Sequence, residues 1–408
     1  MIYKKINLFS TIFIGAVSFF TIAQETINDT VRIKINAIGD IMMHQTQLNA
    51  HKQLDGTYDF SDNFRYMKPY FEKADVTIGN LETTFAGQKE GYSSYPRFNT
   101  PDELATAIKW SGINLVSTAN NHSFDKGGKA MLRTIDVLKE NDLKVIGTRK
   151  DTLTKPYIVE EVKGIKIGFT SYTYESGKND AGLKTINGLV VPKEFDPLLN
   201  SFDYNDLDVD FKRIKGVVDN MRSDSAEFIV FVIHWGDEYA LSPNKKQRDI
   251  ANRLNEMGVD IVFGGHPHVV QPVEFIKNDS TEQLTFVTYS MGNYVSNQRY
   301  ESMKNYNTED GLMVSIDLIK TPEDKRLKIE KVDYEPMWVH RYFVSGKPYY
   351  NVIPTEAALL EPNSYNINNK ETIIRVKNSR KRTIELVETK LNTHQEALFK
   401  THLIRKQE

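Results

Sequence analysis

An α/β layered domain is the expectation for this chain, on three observations. Short β-branched or aromatic runs alternate with amphipathic segments through the middle of the chain. The runs are bounded by Gly or polar residues, as strands are. Polar residues able to do chemistry follow the apolar runs, at the edge where α/β sheets gather their ligand sites.

Strands are expected at 31–38, 76–78, 114–117, 165–170, 228–233, 260–263 and 284–289. Helices are expected between them. Thr100 can cap one, with Pro101 in its first turn, Glu103 completing a capping box and Gly112 at its end. Residues 128–141 form another, with Met131, Leu132, Ile135 and Leu138 on one face. Ser242 and Pro243 start a third, which carries Ile250, Leu254 and Met257 and stops at Gly258. The stretch 174–210 is rich in Gly, Asn and Asp and reads as a long surface excursion. A loop covers 361–369. A basic helix from 371 to 404 carries Ile373, Ile374, Ile384, Val387, Leu391, Leu398 and Leu403 for packing on the main domain. A polyanion-binding arm is the competing reading of that helix.

Composition narrows the function. The 408 residues are 40% hydrophobic and 26% charged, close to globular averages, which excludes wholesale disorder and a polytopic membrane protein. Lys and Arg number 52 against 54 Asp and Glu, so the net charge is −2 and no global field attracts nucleic acid; none is expected as a partner. Cys is absent. That excludes disulfides, thiolate zinc sites and a cysteine nucleophile, and leaves metal binding to His, Asp, Glu and Asn. Lys4 and Lys5 precede an apolar run through Phe9, Ile12, Val17 and Phe19 to Ala23. That pattern describes a signal peptide over 1–23 and an extracytoplasmic protein, periplasmic or at the cell surface. An uncleaved N-terminal anchor is the alternative. The expected organisation is a leader at 1–23, a domain at 30–340 and a C-terminal loop and basic helical extension at 341–408.

The position of the polar residues carries most of the functional information. Six apolar runs end in candidate ligands: Asp40 with His44 beyond it, Asn80 and Glu82, Asn121 and His122 with Asp125, His234 through Glu238, His266 and His268, and Asn293. Five of the nine histidines fall in these loops. Imidazole, carboxylate and amide oxygen together suit a borderline divalent metal such as Zn, Mn or Fe. Such a cluster on rigid strand ends suits metal-dependent hydrolysis, with His122 as proton donor to the leaving group and Asp125 orienting it.

The order of these motifs is similar to that of the calcineurin-like metallophosphoesterases. More closely, the chain resembles the CapA family of poly-γ-glutamate capsule biosynthesis proteins. The resemblance rests on Gly39 and Asp40, Asn80 to Glu82, the 95–101 loop, Ser117 to His122 with Asp125, His234 to Gly236, Gly265 to Pro272, and Ser290 to Asn293. It implies a four-layer αββα sandwich of two mixed sheets, here with a C-terminal helical appendage, and one or two divalent ions (Mn, Fe or Zn). One ion would take Glu82, Asn121, His234 and His266. The other would take Asp40, Glu82 and His268, but Met42 stands where the superfamily has a histidine, and His44 is two residues further on. Substrate contacts are assigned to His44, Arg97, Asn99 and Asn293.

The implied function is a secreted metal-dependent hydrolase of the CapA type, a phosphoesterase acting in extracellular poly-γ-glutamate or capsule polymer biosynthesis. An anionic polymer or phosphate ester would be its substrate and a membrane synthetase complex its partner. The alternative is a weakly catalytic or non-catalytic metal-binding component of a polymer synthesis or export complex. Met42 favours the alternative; His122 and the run from Gly265 to His268 favour the hydrolase.

Overall fold

Every predicted strand is present, and each belongs to one of two mixed sheets. The computed structural model describes residues 30–389 except Asp279 and Glu282. The predicted leader and the C-terminal helix beyond 389 lie outside the described residues.

The first sheet runs, edge to edge, Lys347–Pro354, Lys328–Val344, Asp310–Lys320, Val31–Ile41, Val76–Leu81, Leu115–Ser117 and Lys144–Ile146. Asn293–Val295 pairs with the end of Val31–Ile41. The second runs Ser201–Phe202, Ile165–Tyr174, Phe228–His234, Ile261–Gly265, Leu284–Thr288 and Val273–Lys277, with Ile158–Val162 antiparallel to Ile165–Tyr174. The site-bearing strands are parallel within each sheet. Parallel neighbours need crossover connections. Glu103–Trp110 and Gly127–Glu140 supply them on the first sheet, Leu207–Ser223 and Lys245–Glu256 on the second.

Side-chain parity explains the layering. In Phe228–His234, Phe228, Val230 and Val232 join the core between the sheets, while Ile229, Phe231 and Ile233 face the outer helices. A strand buried on both faces reads as an unbroken apolar run, which is why it stands out in the sequence. The inner core sets Ile33, Ile35, Ala37 and Ile78 against Ile167, Phe169, Val230 and Phe263. Leu104, Ile108, Val137 and Leu138 cover the outer face of the first sheet. Ile214, Val218, Ile250 and Leu254 cover that of the second. The architecture is therefore the four-layer αββα sandwich, and each such apolar side chain contributes about 1.5–3 kcal/mol on burial.

Several local expectations are corrected. The helix expected from Thr100 begins at Glu103, because Thr100 Oγ1 is engaged with Thr83 Oγ1 at 2.7 Å instead of capping. The helix expected from Ser242 begins at Lys245. Its cap is Asn244, which accepts from Gln247 N at 2.8 Å. The 174–210 excursion contains a small sheet of Gly177–Lys178, Lys184–Ile186 and Leu189–Val190 and the start of Leu207–Ser223. A boundary at 340 would cut the strand Lys328–Val344, and Lys347–Pro354 completes the first sheet beside it. The long antiparallel ribbon of 310–354 is absent from the predicted strands. The C-terminal helix spans Lys370–Glu388 and packs through Val376 and Val387. Arg375 and Arg382 on it bind Glu309 and Asp310.

Candidate metal centre

Strand register brings the first ligands side by side. Asp40 lies opposite Asn80 on one neighbour and Asn293 on the other. The register shifts just before Asp40, and such a bulge re-aims the side chain that follows it. In the second sheet His234 lies opposite Gly265 and continues the inward parity of Val230 and Val232. Glycine lets the two strand ends close up. A Cβ on Gly39 would stand 1.9 Å from Gly292 O, and without it Asp40 N donates to Gly292 O at 3.0 Å. His266 and His268 both hold left-handed backbone, with φ of 97° and 56°. Such strain costs of order 1–3 kcal/mol per residue and collects at functional sites.

The predicted metal ligands converge. His234 Nε2 is 2.8 Å from Asn121 Oδ1 and 3.5 Å from Glu82 Oε1. His268 Nε2 is 3.8 Å from Glu82 Oε1, and its Nδ1 is 3.3 Å from Asp40 Oδ2. The His234 and His266 rings are 4.8 Å apart. Ligand atoms of Glu82, His234 and His266 lie within 4.8 Å of one another, as do those of Asp40, Glu82 and His268. All are buried.

The polar accounting fits a cation. Both carboxylate oxygens of Glu82 and Nδ1 of His266 are buried without a hydrogen-bond partner, and a buried polar atom left so is unfavourable by about 1–3 kcal/mol. Burial pushes the His266 imidazole well below its ordinary value, and the nearby His234 and His268 push it further. It is thus neutral, the form that ligates metal. Burial opposes ionisation of Asp40, but His268, His234 and Asn80 outweigh it and hold the carboxyl below its ordinary value. Burial also disfavours charge on His268, yet Glu82 and Asp40 raise its pKa to about 9. The two carboxylates thus demand positive charge at this point, which a divalent ion would supply.

His122 sits beside the cluster. Its Nδ1 donates to Asp125 Oδ2 at 2.8 Å, and the same oxygen accepts from Phe98 N at 2.7 Å. Burial disfavours the His122 cation, but Asp125 and then Glu82 raise its pKa above the ordinary value.

The expected substrate residues divide. His44 is partly buried, stands edge-on to Phe98 at 5.4 Å and accepts from Asn297 N at 3.2 Å through Nδ1. Burial lowers its pKa to about 4. Arg97 is exposed on its loop. Asn99 is corrected to a scaffolding role: its amide donates to Gly87 O and Gly91 O at 2.9 Å each and accepts from Ala86 N. Asn293 is corrected likewise. It is buried, accepts from His268 Nδ1 at 3.1 Å, and donates to His268 O, Gln298 Oε1 and Thr308 O. It orients His268 so that Nε2 faces Glu82. Met42 is buried in the core.

Three residues outside the two expected donor sets belong to the site. Asn80 Nδ2 donates to Asp40 Oδ1 at 2.8 Å. Asn120 Nδ2 donates to Asn80 Oδ1 and Leu81 O, tying the first three strand ends together. Glu238 is exposed, yet a carboxylate oxygen lies within 4.8 Å of ring nitrogens of His266 and His268. Their only sequence signal is a polar residue just past an apolar run.

The family model described as "Bacterial capsule synthesis protein PGA_cap" matches residues 34–298. The PGA biosynthesis protein CapA of Bacillus subtilis (strain 168) is 27% identical over 304 residues, 72% of this chain and 70% of that one. The capsule biosynthesis protein CapA of Bacillus anthracis is 28% identical over 278 residues, 67% of this chain; the chain spans 62% of that relative, less than two thirds. A solved structure of the Thermus thermophilus sulfate thiohydrolase SoxB in complex with glycerol matches 78% of this chain and 44% of its own. Its identity is 13% and its TM-score 0.36, too low to bear on function.

Proposed function

The chain belongs to the bacterial capsule synthesis protein PGA_cap family, and from that premise we propose a metal-dependent hydrolase, a phosphoesterase, that acts in making an extracytoplasmic poly-γ-glutamate or related capsule polymer. The single observation that carries the hydrolase reading is the cluster of Asp40, Glu82, His234, His266 and His268, with both Glu82 oxygens unpartnered inside it. The capsule role is drawn from the relatives' names. The extracytoplasmic site is drawn from the N-terminal sequence around Lys4 and Ala23. Among the described residues no helix is long and apolar enough to cross a membrane. An anionic polymer or phosphate ester as substrate and a membrane synthetase complex as partner belong to the same proposal.

In this mechanism Glu82, Asn121, His234 and His266 would hold one ion, and Asp40, Glu82 and His268 a second. When bound, a divalent ion supplies Lewis acidity and lowers the pKa of water. Asn293 and Asn80 keep His268 and Asp40 in the orientations the donor set needs. His122 holds a proton through Asp125 and gives it to the leaving oxygen, a step worth about 100- to 10,000-fold. Arg97 and His44 remain the candidates for meeting an anionic substrate.

Met42 favours a second reading, in which the protein is a weakly catalytic or non-catalytic metal-binding part of a polymer synthesis complex. Metal analysis of the purified protein, with turnover of a chromogenic phosphomonoester and phosphodiester, separates the two. The hydrolase reading expects bound metal and turnover, loss of metal in His266→Ala, and retained metal with about 100-fold or greater loss of turnover in His122→Ala. Bound metal without turnover leaves the second reading; neither metal nor turnover overturns both.

A further inference from the structure

The second donor set has three protein ligands and lacks a fourth, since Met42 is a buried thioether in the core. The loop after His234 offers a replacement. Glu238 approaches His266 and His268 from the solvent side, its carboxylate oxygen within 4.8 Å of their ring nitrogens. That spacing is one at which three atoms can share one ion.

The approach is built, because the loop is tied on both sides of Glu238. Gly236 N donates to Tyr204 Oη at 2.8 Å, and Asp237 accepts from Asn244 Nδ2 at 2.8 Å. Tyr239 N donates to Pro267 O at 2.8 Å, which fastens this loop to the histidine loop between its two ligands. Ala240 O accepts from Gln271 Nε2 at 2.7 Å. Tyr239 takes left-handed backbone, φ 64°, as do His266 and His268. Three strained non-glycine residues thus lie on two loops joined by the Tyr239–Pro267 and Ala240–Gln271 hydrogen bonds. Strain of this kind persists only where the surroundings over-determine it. Gln298 links the same loop to the positioning amide: it donates to Tyr239 Oη at 3.3 Å and accepts from Asn293 Nδ2 at 3.0 Å.

We propose that Glu238 is a metal ligand, acting with His266 and His268 on a cation at the solvent side of the cluster and adding a carboxylate donor where Met42 offers none. The inference rests on the metal reading above and goes beyond it, since it names an exposed carboxylate outside both expected donor sets. A carboxylate on the solvent side is the one ligand of the cluster that can swing away without unpacking the core. Glu238 thereby sets the affinity of the more solvent-facing ion.

The test titrates the full chain, stripped of metal by chelation, with Mn(II), reading free Mn(II) by electron paramagnetic resonance. The wild-type protein is expected to bind two equivalents. Glu238→Gln should keep the tighter one and weaken the other by at least about tenfold, the loss that even an outer-shell partner brings. Asp249→Asn, an exposed acid on the helix Lys245–Glu256, should leave both unchanged. Equal thermal unfolding midpoints of the metal-free proteins establish that the variants fold. Wild-type binding with an unchanged Glu238→Gln isotherm overturns the proposal. So does an equal loss in Asp249→Asn, which would reduce the effect to surface charge. No Mn(II) binding by the wild type would overturn the metal reading itself, a result distinct from either.

Discussion

Asp125 controls the proton on His122. One carboxylate oxygen accepts from both the imidazole and the Phe98 amide, so the ring is oriented and its cation favoured at once. The pH dependence follows by sign. His122 has a raised pKa, so its protonated form persists to higher pH than an ordinary imidazole would. Turnover that needs this proton falls as pH rises through the raised value. Asp125→Asn removes the charge and lowers that pKa, so the alkaline limb of kcat against pH is expected to move to lower pH. A uniform loss of turnover with an unmoved limb would mean that Asp125 only shapes the loop. Residue-scale chemistry is partly legible in the sequence. His122 three residues before Asp125 suggests the pair. Asn99 and Asn293 mislead, because an amide that binds backbone carbonyls and one that meets substrate are the same letter.

Among the elements, the C-terminal helix Lys370–Glu388 is the one whose attachment is most specific. Its Arg375 bonds both oxygens of Glu309 at 2.6 and 2.8 Å, and Arg382 bonds both of Asp310 at 2.9 and 2.8 Å. Glu309 and Asp310 are buried. They adjoin Thr308, whose carbonyl receives the Asn293 amide. Removing one partner of a buried pair strands the other charge. Arg375→Ala is therefore expected to destabilise the protein by about 2–3 kcal/mol, below the 3–5 of a fully buried pair because Arg299 still faces Glu309. A shift in the urea midpoint at unchanged slope would register it; no shift would mean that the Arg375–Glu309 pair adds nothing to the helix's attachment. The strands buried on both faces are legible as apolar runs. The ribbon strand Lys328–Val344 is not, because its buried Val332 and Tyr334 alternate with Lys331, Asp333 and Glu335, and charge dilutes the apolar signal. Helix starts also shift by two or three residues, since Thr100 finds a tertiary partner in place of its own helix.

Across the whole molecule, the two sheets are stacked so that their ligand-bearing ends meet. Asp40 and His268 come from different sheets, more than half the chain apart, and stand 3.3 Å from each other. A cation shared by such residues ties the sheets together and binds the folded state alone. Chelation is expected to lower the thermal midpoint, and added Mn(II) to restore it. The gain is about 2.7 kcal/mol when free metal is 100 times its Kd. An unchanged midpoint in both directions would show that no ion joins the sheets.

Periodicity, turn residues and donor types are local properties of the chain. They were enough to identify the layered architecture, the apolar strands and the pool of candidate metal donors from Asp40 to His268. Which donors in that pool are free, and which already serve the backbone, depends on partners tens to hundreds of residues away. Asn293 became a support for His268, Asn99 a brace for its loop, and Glu238 a neighbour of two histidines only when the two sheets closed. The physical reason is that a polar group's role is set by whichever hydrogen-bonding partner burial leaves within about 3 Å, and that partner is chosen by the packing of the whole.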